Sequence, residues 1–331
     1  MSFDDTVTIA VDAMGGDHAP GVVLEGVASA LEKDEKLQVI LVGPAEVVEP
    51  FASSHARCVA QPATEVIAMD EHPAQAVRKK KDSSIVVGCR AVKEGRAQGF
   101  FSAGSTGACL AGATFGIGRI KGVQRPALCS VIPSPVAPVV MTDIGANADC
   151  KPEYLVQFAR MAAIYAEKIV GIESPRIALL NIGEEDTKGS QFAQQTFELM
   201  KEGVPGFVGN AEGNDIINAR YDVIVTDGFT GNVTLKTIEG TSKALFSALK
   251  EVMTSSLKAK VGGLALKKDL KELKDSINAD TYGGAPLLGV AGVCLVGHGS
   301  SNATAIMNGV LASADMVRKD VAGLIAEAVG K

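Results

Sequence analysis

The sequence predicts an α/β protein whose mainly parallel sheet carries helices on both faces. Apolar, β-branched segments alternate with helix-like segments along most of the 331 residues, which is the pattern of βαβ units. Hydrophobic residues make up 47% of the chain and aromatic residues only 5%, a balance that suits buried parallel strands. Glycine-rich polar turns follow several strand-like segments, where such folds bind their ligands. We expect a single α/β unit over residues 1–331.

The individual elements follow from the spacing of the apolar residues. Short apolar runs predict strands at 6–13, 38–43, 99–103, 176–182, 221–226 and 292–296. The proline-rich stretch 126–141 predicts irregular strands. Helical spacing predicts helices at 20–33, 83–96, 108–115, 152–170 and 190–201, and two more that begin near residues 232 and 301.

Composition and spacing disfavour several classes of protein. The net charge of −6 disfavours a general nucleic-acid binder, so we expect no nucleic-acid partner. The six cysteines form no C-x-x-C pair, which predicts no metal site and favours free thiols in a reducing cytoplasm. The uncharged stretch 97–118 is long enough to span a bilayer, but its six glycines predict a strand, a loop and a buried helix instead. The N-terminus has no signal-peptide pattern.

The segment 250–280 departs from the βαβ pattern and predicts a protruding helical hairpin. Residues 256–275 contain six lysines and three acidic residues. Gly262 and Gly263 are expected to separate its two helices. Charge patterning alone favours a surface helix pair or a dimer contact. The alternative is a basic amphipathic element on an anionic membrane surface, with its membrane contacts at Leu264, Leu266, Leu270 and Leu273.

Six polar loops, at strand ends or helix starts, hold the candidate ligand-binding residues. Their glycines let backbone N–H groups approach an anion, and a lysine adds positive charge, so phosphate is the expected ligand. Cys109, which follows one of the loops, is interpreted as a buried, inert thiol. The candidates are Asp12, Gly15, Gly16, Asp17, Lys81, Ser83, Ser84, Ser102, Gly104, Ser105, Thr106, Gly107, Glu184, Lys188, Asp227, Thr230, Asn232, His298 and Ser300.

The order of these loops resembles the bacterial phosphate acyltransferase family. The resemblance covers essentially the whole chain, and its most specific motifs are DAMGGD at 12–17 and DGFTGNV at 227–233. Further matching segments are KKDSS at 80–84, SAGSTGA at 102–108, TDIGAN at 142–147, LLNIGEE at 179–185 and GHGSS at 297–301. The resemblance implies a fold similar to phosphotransacetylases and isopropylmalate-type dehydrogenases, and it adds Asp143 and Asn147 to the binding residues.

The resemblance also implies a reaction. A homodimer would transfer a fatty acyl group from acyl-carrier protein to inorganic phosphate, with no cofactor. The acyl phosphate would serve phospholipid synthesis through a membrane glycerol-3-phosphate acyltransferase, so we expect a cytoplasmic enzyme that is peripherally associated with the membrane. We expect direct transfer without an acyl-enzyme, because no Ser-His or Cys-His arrangement is visible. Lys188 and His298 are the expected catalytic residues, with Lys188 neutralising phosphate or developing charge.

Two other functions remain open at this point. One is a nicotinamide-dependent dehydrogenase on a related fold, although the glycines at 116 and 118 are not followed by the third glycine of a dinucleotide fingerprint. The other is a non-catalytic, membrane-bound scaffold built on the basic hairpin.

Overall fold

The computed structural model describes residues 6–276 and 282–329, and their strands form a single sheet. The strands are β1 (Val7–Asp12), β2 (Leu37–Gly43), β3 (Cys58–Pro62), β4 (Gly99–Ser102), β5 (Ala127–Ile132), β6 (Val139–Thr142), β7 (Ile177–Leu180), β8 (Phe207–Ala211), β9 (Val223–Val225), β10 (Ala285–Leu288) and β11 (Val293–Val296). Their order across the sheet is β3-β2-β1-β4-β11-β10-β5-β6-β9-β7-β8.

Helices follow most of the strands. They are α1 (Gly21–Lys33), α2 (Ala45–Ser54), α3 (Pro73–Lys79), α4 (Ser84–Lys93), α5 (Thr106–Gly112), α6 (Pro152–Tyr165), α7 (Gln191–Gly203), α8 (Gly213–Ile217), α9 (Gly228–Thr254), α10 (Leu257–Ala265), α11 (Lys267–Ser276), α12 (Ala303–Arg318) and α13 (Val321–Val329). π-helical turns at Ala113–Ile117 and Ala166–Val170 extend α5 and α6.

Strand direction reverses between the two halves of the sheet. β1, β2, β3, β4 and β11 run parallel to one another, and so do β6, β7, β8 and β9. Between these groups, β10 is antiparallel to both β11 and β5, and β5 is antiparallel to β6. The strands of the two parallel groups therefore run in opposite directions, and their carboxyl ends point to opposite sides of the sheet. The predicted mainly parallel sheet is confirmed, but the sequence did not predict this reversal.

The hydrophobic core has two layers, one on each face of the sheet. Successive side chains of a strand point to opposite faces, and in β1 Ile9 and Val11 belong to one layer while Ala10 belongs to the other. Phe158 of α6 packs in the first layer and Phe100 of β4 in the second. This is the predicted arrangement of helices on both faces.

The helices α9, α10 and α11, residues 228–276, form a protruding arm that we call the helical arm. Of the 27 residues of α9, only Gly228 and Gly231 are buried. The break expected at Gly262 and Gly263 is wrong, because both glycines lie inside α10, and Gly263 packs against Met253 near the end of α9. The chain turns instead before Ser256, whose hydroxyl accepts a hydrogen bond from the Ala259 amide and caps α10.

Within the described parts of the chain, no helix is both long and apolar enough to cross a bilayer. Of the four leucines predicted to touch a membrane, Leu264 is 78% exposed and Leu266 is 47% exposed, and Leu270 is half-buried. The side chain of Leu273 lies outside the described residues.

Candidate active site

Four loops at the carboxyl ends of β1, β4 and β11 and at the start of α4 pack against one another. We call residues 12–20, 81–84, 102–107 and 297–302 the first loop group. The amide of Asp17 donates to the carbonyl of Gly299 at 2.8 Å, which ties the first of these loops to the last. A Cβ atom at Gly15 would lie 2.8 Å from the amide nitrogen of Gly104, so the backbones approach at a distance that only glycine permits.

A buried carboxylate holds the first loop group together. Asp12 is 2% exposed, and its Oδ2 accepts a hydrogen bond of 2.7 Å from the Ser102 hydroxyl. Its Oδ1 accepts from the Met14 amide at 3.0 Å, and Ser84 hydrogen-bonds the same carboxyl group. Burial raises the pKa of Asp12, although these hydrogen bonds oppose the rise.

This network determines which donors remain for a ligand. The Ser102 hydroxyl donates to Asp12 and accepts from the Gly104 amide at 3.0 Å. The amides of Met14 and Gly104 therefore already donate hydrogen bonds within the protein. Asp12, Ser84 and Ser102 are buried and stabilise the loops by bonding to one another. Ser83 and Ser105 are also buried, and each caps a helix by accepting a hydrogen bond from a backbone amide, α4 and α5 respectively.

The solvent-facing members of the first loop group form a different set. The predicted residues Asp17, Lys81, Thr106, His298 and Ser300 are all exposed. Nδ1 of His298 lies 2.8 Å from the Ser300 hydroxyl and accepts from the Ser300 amide at 3.2 Å. A neutral imidazole with Nδ1 as acceptor carries its proton on Nε2, which leaves that N–H group free to meet a ligand.

Cys109 follows the loop at residues 102–107 in the chain, and its side chain is buried within the protein. The thiol is fully buried, and burial raises its pKa to about 12, partly offset by a hydrogen bond with Ser102. A thiol with such a pKa is almost entirely protonated near neutral pH and is a poor nucleophile. The interpretation of Cys109 as inert agrees with these contacts.

The second loop group follows β6, β7 and β9 and comprises residues 143–147, 181–188 and 227–232. Asp143 is buried. Its carboxylate accepts hydrogen bonds of 2.8–3.1 Å from four backbone amides and from the side-chain amide of Asn147. Burial raises the pKa of Asp143, against the effect of these hydrogen bonds. Asp143 and Asn147 therefore shape a turn, and their polar atoms are largely occupied by the protein itself.

The start of α9 rests directly on that turn. Asp227 caps the helix by accepting the amide of Thr230 at 2.9 Å and its hydroxyl at 2.7 Å. A Cβ atom at Gly231 would lie 1.9 Å from the carbonyl oxygen of Asp143, so no larger residue fits without displacing the helix. Asn232 is exposed beside Gly145.

Lys188 lies on an exposed turn of the second loop group. Its Nζ is 3.7 Å from Glu185, and 48% of its side chain is exposed, so its charge is only weakly paired. Glu184 is instead held by Arg220, which lowers the pKa of that carboxylate through a direct hydrogen bond. The ammonium group of Lys188 is thus the available positive charge of this turn.

The structure brings the predicted residues together within each loop group but joins the two groups by no hydrogen bond or ion pair among residues 6–276 and 282–329. β10 and β5 lie between the groups in the sheet. A single phosphate site that uses both groups stays a prediction. In the same parts of the chain, no three His, Cys, Asp or Glu side chains are grouped as metal ligands.

Two residues that shape the second loop group were missed by sequence reasoning. Asn210, which is buried, donates to the carbonyl of Glu185 at 2.9 Å and accepts from Asn181 at 3.1 Å. Arg220 pairs with Glu184. Asn210 and Arg220 are both distant in sequence from the turn that carries Lys188. Only the pairing of β7 with β8 and β9 brings them to that turn.

The fold is that of the phosphotransacetylase class. A phosphotransacetylase from Streptococcus pyogenes is similar with a TM-score of 0.59 at 17% identity, over 95% of this chain and 96% of that one. A phosphotransacetylase from Staphylococcus aureus is similar with a TM-score of 0.57 at 16% identity, over 95% and 94% of the two chains. At such identities the likeness concerns the fold alone.

Sequence similarity is much closer to a particular family. A family model described as "Fatty acid synthesis protein" matches residues 7–324. A phosphate acyltransferase of Desulfitobacterium hafniense (strain Y51) is 50% identical over 313 residues, 93% of either chain. That of Bacillus subtilis (strain 168) is 44% identical over 324 residues, 97% of either chain. The chain belongs to this fatty acid synthesis protein family, which confirms the resemblance seen in its loops.

Proposed function

We propose that this protein transfers a fatty acyl group from acyl-carrier protein to inorganic phosphate and so makes acyl phosphate for phospholipid synthesis. The observation that carries the proposal is the 44–50% identity, over nearly the full chain, to proteins named phosphate acyltransferase. The glycine-rich first loop group, with its exposed lysine and histidine, supplies the kind of surface that a phosphate ion requires. Family membership does not favour the dehydrogenase alternative.

The chemistry is direct transfer. An oxygen of phosphate attacks the thioester carbonyl carbon, the carbon–sulfur bond breaks, and the carrier thiolate leaves and takes up a proton. Phosphate is already a nucleophile and a thiolate is a good leaving group, so the protein contributes mainly positioning and stabilisation of the developing oxyanion. His298 can offer its Nε2 proton in the first loop group. Lys188 offers positive charge in the second loop group, which follows strands of the opposite direction, so a role for Lys188 requires that a substrate also reach that group.

The function is tested by incubating the purified protein with acyl-carrier-protein thioester and phosphate and measuring acyl phosphate. Formation of acyl phosphate that depends on both substrates supports the proposal. Binding of nicotinamide dinucleotide without acyl phosphate formation would support the dehydrogenase instead. An inactive protein that still binds liposomes would support the scaffold.

The helical arm supports a homodimer. A 27-residue helix that buries only two glycines leaves apolar residues in solvent, and Phe229, Val233, Leu245 and Val252 of α9 are each more than half exposed. Exposed apolar faces of this kind mark protein contacts. A second copy of the chain, packed along α9, would cover them.

The tip of the same arm supports peripheral membrane association of a cytoplasmic enzyme. Leu257, Val261 and Leu264 lie on one side of α10 and are 70–83% exposed. Exposed lysines surround them on α10 and α11, at positions 258, 260, 267 and 271. Lysines attract anionic head groups while leucines insert shallowly. The acyl phosphate could then pass to a membrane glycerol-3-phosphate acyltransferase.

A further inference from the structure

Four exposed cations form what we call the basic patch: Lys81, which belongs to the first loop group, and its neighbours Arg78, Lys79 and Arg90. In the described parts of the chain, none of the four has an acidic partner within ion-pair distance. The neighbouring Lys80 is different, because its ammonium is bound to Glu71 at 2.6 Å and to the Val66 carbonyl at 2.7 Å. The patch is therefore a local excess of positive charge on a protein of net charge −6.

Two acidic residues adjoin the patch, Asp82 and Glu65, and the Glu65 carboxylate accepts a hydrogen bond from the Asp82 amide at 3.1 Å. Asp82 accepts the amide of Thr64 at 3.0 Å and its hydroxyl at 2.6 Å. These hydrogen bonds turn its carboxylate toward the loop after β3. The hydrogen bonds with Thr64 and, less strongly, the charge of Arg90 lower the pKa of Asp82. The four positive charges are thus offset in part by two negative ones, and a positive excess remains on this surface.

The basic patch is fixed rigidly to the first loop group. Arg90 donates to the carbonyl of Lys81 at 2.9 Å, so the far end of the patch is tied to its centre. Ser83, two residues after Lys81, caps α4, and Ser84 hydrogen-bonds the carboxyl group of Asp12. A partner bound on the patch is thus held next to the loops of the proposed active site.

The patch is larger than one phosphate ion needs. Arg78 and Lys79 lie in the last turn of α3, whereas Arg90 lies on α4, about 9 Å along the axis from the start of that helix, and its guanidinium reaches back to the Lys81 carbonyl. A phosphate ion can contact only one or two of these side chains at a time. An extended surface that carries several carboxylates can contact all four.

We propose that the basic patch is the docking surface for an acidic face of acyl-carrier protein, which delivers its thioester to the first loop group. This inference rests on the proposed function, because the acyl donor is then a protein that must be oriented. Complementary charge at this place speeds encounter and sets orientation, and both effects weaken as salt screens the charges.

The test is the double variant R78E/K79E, which reverses two charges that do not belong to the proposed phosphate loops. The KM for acyl-carrier-protein thioester should rise about tenfold or more and lose most of its salt dependence. Turnover of a carrier-free acyl-pantetheine thioester, and the KM for phosphate, should be unchanged. The variant R78Q/K79Q, which keeps good helix formers, should show a smaller change in the same direction and controls for folding.

The matched control is K33E/K168E. Lys33 is an exposed residue in the last turn of α1, and Lys168 is exposed in the π-helical turn that extends α6, so neither lies on α3 or α4. The control changes the net charge by the same amount, so its KM for the carrier thioester should stay near that of the unmodified protein.

Other results would overturn the inference. An unchanged KM for the carrier thioester would exclude docking at the patch, and an equal loss with the carrier-free thioester would place the patch in the active site itself. A rise in the KM for phosphate alone would identify free phosphate as its ligand, and loss of liposome binding alone would identify anionic lipid. Direct binding of acyl-carrier protein, measured by fluorescence anisotropy at low and high salt, tests docking even if no acyl phosphate is made.

Discussion

At the scale of single residues, the buried Asp12 links pH to stability. Its pKa is raised in the folded protein above the ordinary value of 3.8. The unfolded chain therefore loses this proton at a lower pH than the folded protein does. The contribution of Asp12 to stability is full below about pH 4 and declines as the pH rises from there toward the raised pKa.

Replacing this carboxyl group should remove that decline. In Asp12→Asn the side-chain oxygen can still accept from the Met14 amide and the NH2 group can donate to the Ser102 hydroxyl oxygen, and the side chain cannot become charged. We expect the free energy of unfolding to fall less between pH 5 and pH 8 in the variant than in the unmodified protein. Urea denaturation at the two pH values measures the difference, and identical slopes against pH would contradict the prediction.

Lys188 offers a test of charge at the second loop group. Lys188→Ala should lower turnover by about 10²-fold or more if the ammonium stabilises transition-state charge, while the melting temperature stays the same because the side chain is exposed. The matched control is Lys201→Ala, since Lys201 is 58% exposed and pairs with Asp186 nearby. Unchanged kinetics of Lys188→Ala at saturating phosphate would remove this residue from the mechanism.

Cys109 tests direct transfer. Cys109→Ala should keep most of the activity, because the thiol is buried and its raised pKa makes it a poor nucleophile. Mass spectrometry of the protein after mixing with acyl-carrier-protein thioester should find no added acyl group. An acyl group trapped on any side chain would show that transfer proceeds through an acyl-enzyme.

At the scale of elements, two glycines of α9 should respond oppositely to the same substitution. Gly231→Ala would force a Cβ against the Asp143 carbonyl, displacing the start of the helix and lowering both stability and activity. Gly240→Ala has open space around it and should stabilise the helix by up to about 1 kcal/mol. Thermal unfolding of the two variants checks the pair, and a stable, active Gly231→Ala protein would contradict the described packing.

The tip of the helical arm separates membrane contact from dimerisation. The double variant L264E/L266E should reduce binding to anionic liposomes while leaving the proposed dimer, and activity on soluble substrates, intact. Val136→Glu is the control, because Val136 is also an exposed apolar residue, at 72%, but lies between β5 and β6. If sedimentation shows that L264E/L266E is monomeric, those leucines belong to the dimer interface.

At the scale of the whole molecule, the sequence predicts the elements better than their relation. The run before Asp12 and the run before Ser102 each predict a strand because their apolar residues are contiguous, and the loops that follow are read from glycines. Strand direction depends on pairing between distant segments. β10 is four residues long, and nothing in its composition says that it inserts between β11 and β5.

For the candidate site too, the sequence predicts which residues lie in the loops but not which of them contact one another. The sequence shows that Asp12, Ser84 and Ser102 lie at strand ends or helix starts, but their hydroxyl and carboxyl groups could equally face a ligand or each other. Only the packing of α4 against β1 reveals that they bond to one another. The exposed His298, Lys81 and Lys188 are among the polar side chains left for chemistry. Residue type alone does not distinguish the two roles.

The position of β10 and β11 in the sheet has a consequence for biosynthesis. β4 and β5 are the inner edges of the two halves, and the strands that join them come from residues 285–296. During synthesis, the edge of β4, which contains Phe100 and Phe101, stays unpaired until β11 has been made about 190 residues later. At usual synthesis rates this takes on the order of ten to forty seconds. An unpaired apolar edge is a template for association with other chains. This topology therefore makes the nascent chain more prone to aggregation than the folded enzyme. The yield of soluble protein should depend on the supply of chaperones and should rise when the expressing cells grow more slowly.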